Sequence, residues 1–192
     1  MRQRFLAIGF AGVLALAAAA PAPAADDYAI DAVHSSVTFK IKHLGISWIH
    51  GRFDDVAGGF TINPDDAGKC LFALSLKADS IDTNSKQRDE HLRSPDFFNV
   101  KQFPTISFKS TAVKAIKDGG YEVTGDLTLH GVTKPVTFQL TGGKKAEFPK
   151  GTQRTGFSTE LTIKHSDFGM DKFAEALSDE VVIAISFEGT KK

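Results

Sequence analysis

From Ser35 the chain alternates. Val37, Phe39 and Ile41 are apolar where Thr38, Lys40 and Lys42 are polar, the period-two pattern of a strand with one buried face. The alternation returns at Phe72, Leu74 and Leu76, at Ile106 and Phe108, and at Tyr121, Val123, Leu127 and Leu129. It appears again at Val136, Phe138 and Leu140, at Phe157, Leu161 and Ile163, and at Val181, Ile183, Ile185 and Phe187. Between these runs stand turn formers: Gly58-Gly59 as a bulge or bend, Asn63 to Gly68, the hairpin Asp118-Gly119-Gly120, and His130 to Lys134. Gly142-Gly143 to Gly151 reads as a polar connection and Asp167 to Met170 as an irregular corner.

One stretch departs from this regime. Between Asp79 and Ser110 the spacing predicts a short helical insert over about residues 84–98, with Asn84 as N-cap and Gln87 in the capping-box position. Asp89 and Arg93 stand four apart in the favourable order for a helix pair, and Pro95 stops the helix. Leu92 is its one large apolar residue, so the helix is wet and serves to deliver Phe97 and Phe98 onto something apolar. A polar helix inserted once among strands predicts a lid or plug at one end.

About eight strands in hairpin order must remove their edges, and closure into an antiparallel barrel does so at a size that holds one small ligand. The expected fold is therefore all-β, an eight-stranded antiparallel barrel with the helical insert at one end. The chain has 16 Phe; alternation alone serves a filled core and a lined cavity equally well.

Residues 1–24 fall outside this pattern. Arg2 and Arg4 precede an uncharged apolar run from Phe5 to Ala20, and Ala22 and Ala24 supply the small residues of an A-x-A cleavage site. The expectation is a cleaved signal peptide, export to a bacterial periplasm, and one domain over residues 25–192. Without Arg2 and Arg4 the balance is slightly acidic, which offers no electrostatic footprint for nucleic acid. The apolar run is too alanine-rich and short for an integral membrane span. The single cysteine, Cys70, provides no internal disulfide and reads as a small packed hydrophobe.

Candidate chemistry is sparse. No G-x-S-x-G elbow, H-E-x-x-H helix or glycine-rich phosphate loop occurs. The histidines are His34, His43, His50, His91, His130 and His165, none paired at close helical spacing. His43 and His50 flank Trp48 and could meet in space, which is the weak case for a metal; none is expected, and no cofactor. Arg88, His91 and Arg93 lie together on the insert, suited either to an anionic head group or to simple solubility. Nothing demands an enzyme; the alternatives are a lipid hydrolase using His43 or His91, and a filled barrel that acts only through its surface.

Four segments in order carry a family resemblance: HSSVTFKIKHLGISWIHGRF at His34 to Phe53, SIDTNSKQRDEHLRSPDFFNVKQFPTISFKS at Ser80 to Ser110, GDLTLHGVTKPV at Gly125 to Val136, and SDFGM at Ser166 to Met170. With the opening Tyr28-Ala29-Ile30-Asp31 they span nearly all of the mature chain, which resembles the bacterial YceI-like family of periplasmic lipid- or polyisoprenoid-binding proteins. Lys164-His165 departs from it, since the family often has an arginine there. The resemblance implies a lipocalin-like barrel, frequently a homodimer, enclosing an apolar tunnel for an isoprenoid or other long-chain lipid. Expected wall residues are Phe39, Ile41, Phe72, Leu74, Ile106 and Phe108, with Leu127, Phe138, Leu161, Ile183 and Ile185. Leu44, Ile46, Trp48, Phe97, Phe98, Phe168 and Met170 are expected to line or close the ends.

Overall fold

The computed structural model describes residues 25–192; residues 1–24, where the signal peptide is expected, lie outside the described residues. Ten strands and one α-helix follow in order. They are β1 (Asp26–His43), β2 (Ser47–Phe53), β3 (Val56–Ile62), β4 (Leu71–Lys77), β5 (Ile81–Asp82), α1 (Lys86–Arg93), β6 (Thr105–Ala115), β7 (Tyr121–Leu129), β8 (Val132–Glu147), β9 (Gln153–Lys164) and β10 (Leu177–Lys191). Every pairing is antiparallel, and β10 pairs with both β9 and β1. The ring β1, β3, β4, β6, β7, β8, β9 and β10 is thus a closed eight-stranded barrel, as the hydrophobic pattern predicts. The other two strands form a flap: β2 pairs with the second half of β1, and β5 with the end of β2.

Register puts the alternating apolar residues on one inner face. Phe39 lies opposite Ile183, which lies opposite Leu161; Ile41 lies opposite Val181, which lies opposite Ile163. A one-residue slip would turn each of these rows to solvent, so the pattern fixes the register.

The interior has two halves of different character. At the end formed by the start of β1 and the end of β10, aromatic rings fill it. Tyr28 stacks on Phe60 at 4.9 Å between centroids, and Phe60 meets Phe157 edge-on at 5.7 Å and Phe187 at 5.5 Å. Cys70 is buried in this cluster. Asp26 at the same end bonds Lys145 of β8 at 2.8 Å and Lys191 of β10 at 2.6 Å. The two ammonium groups hold its carboxyl down at about 2, so the clamp is ionised at neutral pH.

Two of the expected connections between strands need correcting. The stretch from Gly142 is strand rather than a connection: β8 runs to Glu147, and only 148–152 is loop. The two glycines absorb a register shift at positive φ, 121° and 85°, so they bend the strand without ending it. The turn at His130 is also shorter than expected. His130 and Gly131 alone make it, both left-handed, and β8 begins at Val132.

Pairing of β8 with β9 reaches only from Thr141 and Ser158 to Glu147 and Gln153. Beyond it the two strands part towards the helix end. A 3-10 turn, His165–Phe168, packs against both strands, and His130 Nδ1 lies 3.1 Å from the Phe168 carbonyl oxygen. The Phe168 side chain is buried among Leu129, Ile163 and Met170.

Candidate ligand cavity

The rest of the barrel interior is a cavity of about 640 Å³, within the range of about 300–1,000 Å³ typical of small-molecule sites. Opposite strands supply its wall: Phe39 and Ile41 from β1, Leu74 from β4, Ile106 and Phe108 from β6, and Leu127 from β7. Phe138 of β8, Leu161 of β9, and Ile183 and Ile185 of β10 complete the ring. Phe72 lies at the floor, shared with the aromatic cluster. Val37, Phe53, Leu76, Leu129, Val136, Leu140, Ile163, Val181 and Phe187 line it too. They follow the same alternation, or in Phe53 the register of β2 against β1, and were legible by the same rule.

Glycines make room for two of the wall rings. A Cβ at Gly51 would sit 2.3 Å from Phe39 Cζ, and one at Gly125 would sit 2.4 Å from Phe108 Cζ. Each ring therefore occupies space that a side chain on the neighbouring strand would take, which leaves more of the lumen open.

The helix end of the cavity is built differently. Helix α1 is not capped as the sequence suggests: Ser85 is the N-cap and makes no side-chain cap bond, while Asn84 is left-handed with its N–H donating to Asp82 Oδ1 at 2.7 Å. What fastens the helix is Asp89. Its buried carboxylate accepts from the Thr83 N–H at 2.9 Å and the Thr83 hydroxyl at 2.5 Å. Arg88 completes the knot, with Nε donating to Thr83 Oγ1 at 2.7 Å and Nη2 to the Thr83 carbonyl oxygen at 2.6 Å. Asp89 and Arg93 do not pair. Arg93 donates instead to the carbonyl oxygens of Asp79 and Ile81, at 2.7 and 2.6 Å, which ties the helix to β5. Pro95 acts as expected: the helix ends at Arg93 and Ser94 is extended.

This arrangement turns Thr83, Arg88, His91 and Leu92 to the cavity, together with Phe97 and Phe98. Phe98 meets Phe53 edge-on at 5.7 Å. Phe97 stacks on Phe173 at 5.4 Å, and the His91 ring stands edge-on to both, at 5.0 and 5.4 Å. His91 Nε2 lies 3.2 Å from Asp96, which also binds Lys172. These two partners hold the Asp96 carboxyl below its usual range, the lysine more strongly. The cavity reaches the surface here, since Phe173 is on its wall and 48% exposed.

His43, His165 and Met170 also line this end. The buried His165 ring lies between the carbonyl oxygens of Met170 and of Ser178, the latter at 3.2 Å, and so closes the loop from β9 to β10. Thr159 adds a hydroxyl to the wall with no hydrogen-bond partner among the described residues.

Four residues expected at the ends lie outside the cavity. Leu44, Ile46 and Trp48 are 57%, 83% and 44% exposed. Trp48 pairs with Lys42 and Ile49 with Ile41, so the strand pleat turns Ile49 inward and Trp48 outward. Leu44 and Ile46 are at the hairpin tip. Phe168 is the fourth, packed in the core under the β8–β9 gap rather than on the cavity wall. Nor do His43 and His50 meet: His43 lines the lumen, whereas His50 pairs with Lys40 on the outer face. Among the described residues no group of three or more His, Cys, Asp or Glu is placed to hold a metal ion. No helix among them is long and apolar enough to cross a membrane.

Similarity to known proteins follows the same outline. The YceI-like domain matches residues 28–189. A UPF0312 protein of Pseudomonas aeruginosa strain LESB58 is 43% identical over 170 residues, 88% of each chain. A protein YceI of Escherichia coli O17:K52:H18 is 40% identical over the whole of both chains. Among solved structures, BcnA of Burkholderia cenocepacia superposes with a TM-score of 0.75 at 25% identity, covering 83% of this chain and 98% of its own. A polyisoprenoid-binding domain from Saccharophagus degradans shares the fold, with a TM-score of 0.66 at 19% identity over 86% of this chain and 98% of its own.

Proposed function

We propose that this protein, which belongs to the YceI-like family, is an exported carrier that holds one long-chain lipid, an isoprenoid or similar amphiphile, inside its barrel. The observation that carries this reading is the cavity: an apolar lumen closed by aromatic rings at the floor, with Thr83, Arg88 and His91 set among aromatic and aliphatic side chains at the mouth. A chain threaded into it gains about 0.8 kcal/mol for each CH₂ removed from water, less the cost of ordering it. Apart from the Ser107 and Thr159 hydroxyls the wall is apolar, so length and shape set most of the selectivity there. Arg88, Thr83 and His91 supply polar recognition at the mouth. The basic and apolar pattern of residues 1–24 supports export to the periplasm. The polyisoprenoid-binding domain with the same fold is in keeping with a prenyl cargo.

The test is organic extraction of freshly purified mature protein, followed by mass spectrometry against a denatured control. Near one prenyl or long-chain lipid per chain is expected; a water-soluble polar molecule at that ratio would contradict the reading.

A further inference from the structure

The β1–β2 hairpin stands at the mouth with an unusual tip. Ile46 N–H donates to the His43 carbonyl oxygen at 3.0 Å, and the two residues between, Leu44 and Gly45, are both left-handed, with φ of 52° and 69°. Such a turn is served best by Asn, Asp or Gly. Among the described residues five non-glycine positions have positive φ; Asn84, Asn99 and His130 are types that tolerate it, and the other two are Leu44 and Phe173. Both are exposed apolar residues at the mouth. They are also neighbours, since the Leu44 N–H donates to the Ala176 carbonyl oxygen at 2.7 Å and Ala176 belongs to the turn that Phe173 opens. A turn that keeps bulky apolar side chains in an unfavourable conformation, in water, keeps them for their contacts.

The surroundings of the tip say which contacts. Trp48 lies just below Ile46, with Lys40 Nζ at 5.4 Å and Lys42 Nζ at 5.3 Å from its ring centroid. Neither lysine is in an ion pair among the described residues, whereas Arg52, farther along β2, is bound to Asp54 and Asp82. Aliphatic side chains at the tip, then tryptophan and lysine behind them, is the layering of a segment seated at a bilayer interface. His43 of this hairpin and Ala176 and Leu177 of the adjoining turn line the cavity, so the patch is continuous with the mouth.

We propose that Leu44, Ile46, Trp48 and Phe173 dock the barrel mouth onto an anionic phospholipid membrane, with Lys40 and Lys42 at the head groups. This stands on the exposed tip, not on the identity of the cargo. Trp48 is the one tryptophan in the chain and reports its own insertion. The experiment mixes cargo-free protein with vesicles of phosphatidylglycerol and phosphatidylcholine (about 3:7) at low salt, where about 1 kcal/mol per lysine, or about fivefold in affinity, comes from the charge.

Expected are co-sedimentation, a blue shift of Trp48 emission, quenching by brominated lipids, and binding about fivefold weaker for each of Lys40→Gln and Lys42→Gln. Leu44→Asn with Ile46→Ser should abolish vesicle binding while leaving the turn at least as stable and uptake of a soluble prenyl alcohol unchanged. Failure of the wild type to take up that alcohol would indict the cargo reading, and loss of uptake in the double variant alone would make the tip part of the uptake site and overturn its assignment to docking; intact uptake without vesicle binding in the wild type would overturn docking alone. Vesicle binding with Trp48 unshifted and unquenched would overturn it too. So would a vesicle-free dimer that dissociates on Ile46→Ser, which would assign the tip to a second copy.

Discussion

Gly51 shows how much of the site is decided by single positions. Its Cα faces the lumen opposite Phe39, and only side chains, Phe39 and Thr83, crowd the space where a Cβ would go. Gly51→Ala is therefore expected to fold but to push the Phe39 ring into the cavity. Affinity for a long prenyl chain should fall about tenfold, the worth of one to two CH₂ groups kept out. Unchanged affinity in a titration with a fluorescent long-chain lipid would show that the lumen does not depend on this ring. Wall residues such as Phe39 were legible because a strand turns every second side chain the same way. Trp48 was misread because its side depends on where the hairpin turns, and a left-handed Leu44 is not a turn signal that composition offers; that conformation costs about 1–2 kcal/mol in a residue with a Cβ. Arg88 and His91 were legible as a polar group able to meet a head group at the barrel mouth, with surface solubility as the other reading; Arg93, grouped with them, instead ties the helix to β5. Thr83 gave no signal, because its role comes from a buried carboxylate six residues later.

At the scale of elements, α1 owes its place to that carboxylate. The insert, its proline stop and its delivery of Phe97 and Phe98 followed from local sequence, whereas the start of the helix is set by a side-chain knot outside the cap positions. Asn84 and Ser85 are both good caps by type, and the choice between them was made by Asp89 reaching back to Thr83. Asp89→Ala would leave the Thr83 N–H and hydroxyl without their acceptor. A loss of about 1–3 kcal/mol in urea denaturation is expected, with faster amide exchange in α1 than in the barrel strands. A loss below about 0.5 kcal/mol would mean that water replaces the carboxylate and that the knot is not what holds the helix over the mouth.

For the whole molecule, barrel closure was legible and emptiness was not. Alternating phenylalanines produce the same pattern whether they meet across the axis or stand back from it. This protein does both: Phe60, Phe157 and Phe187 meet at the floor, while Phe39, Phe108 and Phe138 stand around a lumen. The difference lies in cross-strand partners, glycine opposite Phe39 and ring opposite ring at the floor, which depend on register that no single strand contains. The central claim is that this lumen holds one extended apolar chain, and a titration with prenyl alcohols of increasing length tests it most directly. Binding should saturate at one per chain, tighten with each added isoprene unit until the cavity is full, and be lost in a folded Phe138→Arg variant. Non-saturating uptake, affinity indifferent to length, or wild-type binding by folded Phe138→Arg would contradict it.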